Sequence, residues 1–111
     1  SCIGFWLALE DANIENGCLQ AITGGHSIPL KKRFKLAANG GTEFEILDDS
    51  PWPNQSLDLL EVKAGTLIVL HGQLPHYSAA NTSNRSRQAF SLHLVDQNCQ
   101  YAEDNWLQSL I

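Results

Sequence analysis

The sequence contains no methionine among its 111 residues, and it has no apolar run near the roughly 20 residues that a membrane-spanning helix needs. Its first residues, Ser1-Cys2-Ile3, lack the basic region that opens a secretory signal. Basic residues are also few, with 7 Lys and Arg against 12 Asp and Glu and a net charge of −5. A chain without a positive field does not attract phosphate backbones, so we expect neither a nucleic-acid partner nor a membrane partner.

Cysteine is equally scarce. Cys2, Cys18 and Cys99 are odd in number, far apart in the sequence and not in C-x-x-C spacing. This pattern is not a disulfide framework, and it predicts a reducing compartment such as the cytoplasm.

Long amphipathic helical patterns and internal repeats are absent as well. Apolar residues make up 43% and charged residues 17%, which is typical of one small packed domain. Short strand-like segments with Gly and Asn turns between them indicate a mainly all-β fold, an antiparallel sandwich or jelly-roll barrel. These segments are residues 2–10, 18–22, 43–47, 59–63, 66–70 and 87–95.

Two of these strands have faces of very different character. In residues 2–10, one face carries large apolar side chains and is predicted to be core, while the other carries Trp6 among small neighbours. Residues 87–95 repeat the pattern, with Arg87 and His93 on a small-residue face. Two such faces predict a barrel with a hollow interior. The turn-rich stretch Asp11 to Gly17 is consistent with a hairpin that would pair residues 18–22 with the first strand.

Residues 27–61 show the least regular pattern. Only residues 43–47 look strand-like. The basic cluster, which comprises Lys31, Lys32, Arg33 and Lys35, is interpreted as a solvated loop rather than a binding patch.

The strongest chemical signal lies in residues 65–90, where His76 is followed eleven positions later by Arg87 at the start of an apolar strand. An imidazole and an arginine in this setting suggest a metal ligand and an anion-binding residue. The structural alternatives are a surface histidine without a ligand role and an arginine that pairs with a nearby carboxylate. His71 and Arg85 compete for the two roles.

Trp6, His26 and His93 are further candidates for either a structural or a functional role. Trp6 fits a core filler and a pocket wall almost equally well. His26 and His93 are interpreted as structural.

Four segments resemble the phytanoyl-CoA dioxygenase family, most closely its domain-containing protein 1 group. They read FWLALEDANIENGCL, GTLIVLHG, HYSAANTSNRSRQAFSLHL and NWLQ. The resemblance covers about residues 2–26 and 62–108 and is poor across an insert at about 27–61. Its most specific part is the string His-x-Ser-x-x-Asn-x-Ser-x-x-x-Arg, formed by His76, Ser78, Asn81, Ser83 and Arg87.

The resemblance implies a cupin-like double-stranded β-helix, of which this chain is the C-terminal part. It implies Fe(II) and 2-oxoglutarate as cofactors, with ascorbate in a supporting role, and hydroxylation of a small organic substrate with release of succinate and CO2. His76 would be an iron ligand, with no catalytic residue separate from the metal site. Arg87 would bind the distal carboxylate of 2-oxoglutarate, Ser86 would add a contact to it, and Trp6 would wall its pocket.

One departure from the family pattern is clear. The family's His-x-Asp or His-x-Glu pair, which supplies the other iron ligands, does not occur in the sequence. We expect that pair upstream of Ser1, in a longer protein, and we expect these 111 residues to be inactive alone. The alternatives are a non-catalytic jelly-roll binding domain that has lost the metal and a zinc site built on His71 and His76 with another ligand. The family's Pro-Gly-Ser-His turn also reads Thr23-Gly24-Gly25-His26.

Overall fold

The computed structural model describes residues 2–54 and 56–107. In that part of the chain the regular structure is eight β-strands and a short 3-10 turn, Gly25–Ser27. The strands are β1 Cys2–Ala8, β2 Leu19–Ala21, β3 Lys32–Leu36, β4 Thr42–Ile46, β5 Asp58–Leu60, β6 Leu67–His71, β7 His76–Ser78 and β8 Ala89–Val95. The expected mainly all-β, jelly-roll class is confirmed. None of the helical structure described is long and apolar enough to cross a membrane.

The first of two compact units comprises Ser1–Ile28 and Asn54–Asp96. It contains two three-stranded antiparallel sheets, with strand orders β6-β1-β8 and β5-β2-β7. Buried side chains from both sheets and from the chain between them meet in one core. Its members are Trp6, Ala8, Ala12, Cys18 and Leu19.

The buried face of β1 is the small-residue face. Gly4, Trp6 and Ala8 are buried, whereas Ile3 is 44% exposed. The expectation that the large apolar face forms the core is therefore wrong. The second sheet packs against the small-residue face, because small side chains let the two sheets approach around Trp6. The opposite face of this sheet leaves large apolar residues exposed, among them Val69 and Phe90.

The predicted hairpin between β1 and β2 is also wrong. β2 pairs with β5 and β7, and β1 pairs with β6 and β8. The connecting segment is ordered by Asn16, which is 3% exposed and whose Nδ2 donates to the Asp11 carbonyl over 2.8 Å. Asn13 and Asn16 also exchange two side chain–backbone hydrogen bonds, of 2.8 and 3.0 Å. This network, with the bridge from Ala12 to Val62, carries the chain from one sheet to the other.

The second unit comprises Pro29–Pro53 and Gln97–Ile111. Its main element is the antiparallel hairpin β3-β4, in which Phe34 lies opposite Phe44. The strand predicted at 43–47 is confirmed by β4. The interpretation of the basic cluster as a solvated loop is wrong, because most of the cluster lies in β3. Carboxylates of the same unit pair with it, for example Glu45 with Arg33 over 3.2 Å.

Lys31, the first residue of the basic cluster, is buried. Its side chain is only 7% exposed, and its Nζ donates to Asp48 over 3.0 Å and to two oxygen atoms of Ser50 over 2.8 Å each. The same Nζ lies 5.3 Å from the ring centroid of Trp52. These contacts compensate the buried charge, which would otherwise be strongly unfavourable.

The Asp48 carboxylate makes this unit sensitive to acid. Hydrogen bonds from the Ser50 side chain and backbone N–H, and then from Lys31, lower the pKa of Asp48 from 3.8 to about 2. Because the pKa is lower in the folded state, the stabilisation is present above the unfolded pKa and is lost as the pH falls through about 2. Asp48→Asn is therefore expected to reduce stability at neutral pH and to flatten its decline below pH 4, measured by urea unfolding across that range.

Candidate functional site

A cavity of about 170 Å³ opens between the two sheets of the first unit. We call it the inner cavity. Its walls come from β1, β6 and β8 on one side and from β2 and β7 on the other, as the small-residue faces predict. It is lined by Cys2, Gly4, Phe5, Trp6, Leu19, Leu70, His71, Gly72, His76, Ser91 and His93.

His76 is the first residue of β7 and lies opposite Ala21 of β2. Its Nδ1 lies 2.9 Å from the carbonyl oxygen of Leu74. Because a carbonyl oxygen can only accept, Nδ1 carries the proton and the Nε2 lone pair is left for another partner. A backbone carbonyl that fixes the tautomer in this way is a common arrangement for a metal-binding histidine.

The turn before His76 is held by close packing. A Cβ placed on Gly25 would lie 3.1 Å from Cδ of Pro75 and 3.0 Å from Cβ of Ile22. Gly25 stands where the family's Pro-Gly-Ser-His turn has Ser, and its lack of a side chain allows the close contact with the segment entering β7.

His71 also lines the inner cavity, but its Nδ1 accepts a hydrogen bond, whereas Nδ1 of His76 donates one. The backbone N–H of Gln73 donates to its Nδ1 over 3.1 Å, so the proton of the neutral ring is on Nε2. The ring centroid lies 5.2 Å from that of His26. His71 thus has both ring nitrogens committed in its neutral form, one as acceptor and one protonated.

Arg87 and Trp6 form the second half of the site. The guanidinium carbon lies 5.5 Å from the centroid of the indole ring, and Trp6 is 8% exposed. The Nε atom of Arg87 is buried and has no hydrogen-bond partner among the described residues. A buried N–H without an acceptor is rare in folded proteins, and it marks a place where an acceptor from outside the chain would fit.

Ser86 and Arg85 face a different depression, which we call the polar groove. It has a volume of about 560 Å³. The Ser86 hydroxyl donates to the Glu10 carboxylate, 2.8 Å from each oxygen, and does not line the inner cavity. The groove is lined by Glu10, Asp11, Asn13, Asn16, Lys63, Asn84, Arg85 and Ser86.

The structure therefore brings together three of the four residues that the sequence singled out. His76 and Trp6 line one cavity, and Arg87 lies over the ring of Trp6. The Ser86 hydroxyl is engaged elsewhere. Of the rival residues, Arg85 lies in the polar groove, whereas His71 and His93 line the inner cavity.

The remaining polar residues of the motif order the loop that leads to Arg87. Asn81 donates from Nδ2 to the Arg85 carbonyl over 2.6 Å and accepts from the Ser83 backbone N–H over 2.9 Å. The Ser83 hydroxyl also donates to the Arg85 carbonyl, over 3.1 Å. The spacing of the motif thus has a local structural cause, since short polar side chains close the turn just before the strand.

Glu10, which contacts both sequence neighbours of Arg87, was not among the candidate residues from the sequence. Besides Ser86, its carboxylate accepts the backbone N–H of Gln88 over 2.9 Å. These donors, Gln88 first, lower the pKa of the Glu10 carboxyl. A signal was available, because Glu10 continues the alternation of Trp6 and Ala8 on one face of the first strand.

The residues present fit part of a metal and 2-oxoglutarate site. The buried Nε–H of Arg87 suits a carboxylate, and Nε2 of His76 suits one metal position. Within residues 2–54 and 56–107, no group of three or more His, Cys, Asp and Glu side chains is arranged to hold a metal ion. The described chain thus offers one metal-binding imidazole and not a complete ligand set.

Comparison with known proteins identifies the family of the chain. The family model for phytanoyl-CoA dioxygenase (PhyH) matches residues 1–89. A phytanoyl-CoA dioxygenase of Arabidopsis thaliana is 46% identical over 112 residues, which cover 97% of this chain and 38% of that protein. Phytanoyl-CoA dioxygenase 1 of Oryza sativa subsp. japonica is 47% identical over 115 residues, covering 100% of this chain and 39% of the relative.

A more distant relative extends the comparison. The phytanoyl-CoA dioxygenase domain-containing protein 1 homolog of Dictyostelium discoideum is 39% identical over 109 residues, covering 94% of this chain and 39% of the relative. The chain thus spans about two fifths of the length of these curated relatives. With a family model matched over residues 1–89 and identities of this size, the chain belongs to the phytanoyl-CoA dioxygenase family.

Proposed function

We propose that the chain is part of a non-haem Fe(II)- and 2-oxoglutarate-dependent dioxygenase that hydroxylates a small organic substrate. Membership of a dioxygenase family supports the reaction class. The observation that carries the proposal is the buried, unpartnered Nε of Arg87 over Trp6, beside a cavity that His76 lines.

Arg87 binds the distal carboxylate of 2-oxoglutarate in this proposal. A guanidinium can offer two parallel N–H donors to a carboxylate, and a partly dehydrated site strengthens both hydrogen bonds. Trp6 supports the guanidinium from below and excludes water from one side of it. The Ser86 hydroxyl donates to Glu10 in this proposal and does not contact the cosubstrate.

His76 supplies one imidazole to the iron through Nε2, while the Leu74 carbonyl holds the ring in the required tautomer. Residues outside these 111 supply the rest of the ligand set. When bound, iron and 2-oxoglutarate would supply the oxidising chemistry with dioxygen as the oxidant: one oxygen atom would enter succinate, formed with loss of CO2, and the other would enter the hydroxylated substrate. The protein positions the cofactors and the substrate and excludes water from the site. The 111 residues alone are therefore expected to release no succinate.

The two histidines of the cavity provide the test. In the intact protein, His76→Ala is expected to lower Fe(II) affinity and succinate formation by at least about 100-fold, because a metal ligand is removed. His71→Ala is the matched control and is expected to stay within about threefold of the parent, since its ring does not offer a free lone pair. Fe(II) binding by calorimetry and succinate release measure the two effects. The opposite pattern would identify His71 as the ligand, and comparable losses of metal affinity in both variants would favour the zinc-site alternative, which uses both histidines.

A non-catalytic jelly-roll binding domain is the second candidate. Such a domain would keep the inner cavity and the buried Nε–H of Arg87 without completing the metal site. The two candidates differ in one observable of the intact protein. A dioxygenase couples 2-oxoglutarate consumption to succinate release in the presence of Fe(II), whereas a binding domain retains the ligand unchanged.

A further inference from the structure

We propose that Glu10 is a positioning residue for Arg87. Its carboxylate holds the two residues that flank Arg87 in the sequence and thereby fixes where the guanidinium points. This inference rests on the proposed role of Arg87 as the residue that binds the distal carboxylate of 2-oxoglutarate.

The hydrogen bonds of Glu10 bracket Arg87 on both sides. The Ser86 hydroxyl donates to both carboxylate oxygens over 2.8 Å, and the Gln88 N–H donates to Oε2 over 2.9 Å. The main chain adds a third connection, from the Leu9 N–H to the Gln88 carbonyl over 3.0 Å. The residues on either side of Arg87 are therefore held by Leu9 and Glu10, which follow directly after β1.

The side chain of Arg87 contacts β1 through Trp6. Trp6 lies four residues before Glu10 and supports the guanidinium at 5.5 Å. One segment of chain thus contacts both the side chain of Arg87 and the backbone that carries it. Trp6 lies in β1, the central strand of its sheet, which is hydrogen-bonded to β6 and β8, and Leu9 and Glu10 follow directly after that strand.

Glu10 does this without neutralising the guanidinium. The ion pairs of the described residues do not include one between Glu10 and Arg87, and the carboxylate is instead occupied by an O–H and a backbone N–H. A second contact steadies the same segment, since Nδ2 of the buried Asn16 lies 3.4 Å from the Ser86 carbonyl. The anchoring is thus separate from the ligand-binding face, and the N–H of Nε stays free for a ligand.

The test compares carboxylates in the polar groove. Asp11 is the matched control, because it is adjacent to Glu10 but bonds Lys63 and the Ala64 N–H, which do not touch the Arg87 segment. Glu10→Ala is expected to weaken 2-oxoglutarate binding to the intact protein about 10-fold, the usual scale for losing a supporting hydrogen-bond partner. Glu10→Gln keeps a carbonyl acceptor for Gln88 and is expected to stay within about threefold, and Asp11→Ala within about twofold.

A second measurement needs no ligand. In an NMR spectrum of the unliganded protein, the Nε–Hε signal of Arg87 is expected to shift and to exchange faster with water in Glu10→Ala, and to be nearly unchanged in Glu10→Gln and Asp11→Ala. Ser86→Ala removes one donor only and is expected to give an intermediate effect. It keeps the inference testable if Glu10→Ala does not fold.

The outcomes separate the two proposals. If Arg87→Met leaves 2-oxoglutarate affinity unchanged, the proposed role of Arg87 fails, while the ligand-free signal still reports on the anchoring. If Arg87→Met abolishes binding but Glu10→Ala changes neither affinity nor the Nε–Hε signal, the positioning role is overturned. Equal losses in Glu10→Ala and Asp11→Ala would also overturn it, because they would mean general damage to the groove.

Discussion

Arg87→Met is expected to weaken 2-oxoglutarate binding about 100-fold or more. Methionine keeps an unbranched apolar side chain but removes the guanidinium over Trp6 and every donor with it. Truncating one partner of a buried, hydrogen-bonded charge pair costs about 2–5 kcal/mol, which corresponds to roughly 30-fold to several thousand-fold in affinity. Calorimetry of the intact protein with 2-oxoglutarate measures the loss directly.

Two further substitutions sharpen that experiment. Arg87→Lys keeps the charge but not the planar fork, and it is expected to lose about 10-fold, since a point charge cannot replace two parallel hydrogen bonds. Arg85→Met is the matched control, because Arg85 lies two positions away in the polar groove, and binding is expected to change by less than about threefold. A large loss in Arg85→Met with little effect at Arg87 would show that the wrong arginine was chosen.

Gly17→Ala is expected to destabilise the first unit by about 3 kcal/mol or more. Gly17 has a φ of 83°, a conformation in which a side chain is strained by about 1–2 kcal/mol. A Cβ there would also lie 2.6 Å from the carbonyl oxygen of Ala79, closer than real Cβ contacts. Relieving that overlap requires the backbone of the loop to move, which adds about 1–3 kcal/mol. Urea unfolding gives the change in free energy.

Gly65 supplies the control for this prediction. It has a φ of 85°, but a Cβ there would meet no heavy atom within 4 Å. Gly65→Ala therefore carries the backbone strain without the overlap and is expected to cost only about 1–2 kcal/mol. If the two substitutions destabilise equally, the close approach of Gly17 to Ala79 is not an energetic constraint.

The fold could be predicted where alternating apolar residues run long enough to show a period. Seven-residue strands such as β1 and β8 were found on that basis, although the face assigned to the core was wrong. β7 has only three residues and reads as part of a polar loop. β3 was missed because charged side chains alternate along it, and their partners in β4 and near Asp104 become visible only in three dimensions.

The site was predictable in part for a similar reason. His76 and Arg87 stand out because the spacing between them and the polar residues in the loop form one local pattern. Glu10 shares a strand face with Trp6 and Ala8 in the sequence pattern, but its contact with Ser86 joins residues 76 positions apart and is visible only in the structure. The choice between His71 and His76 also depends on which ring nitrogen is protonated, and that depends on backbone groups whose positions a sequence pattern does not give.

The central claim is that the buried Nε–H of Arg87 binds the distal carboxylate of 2-oxoglutarate. The most direct test follows the Nε–Hε NMR signal of Arg87 in the intact protein during titration with 2-oxoglutarate, and with 2-oxopentanoate, which lacks that carboxylate. The account predicts a saturable shift with 2-oxoglutarate and none with 2-oxopentanoate at the same concentrations. An unmoved signal at saturating 2-oxoglutarate, or equal shifts with both acids, would contradict it.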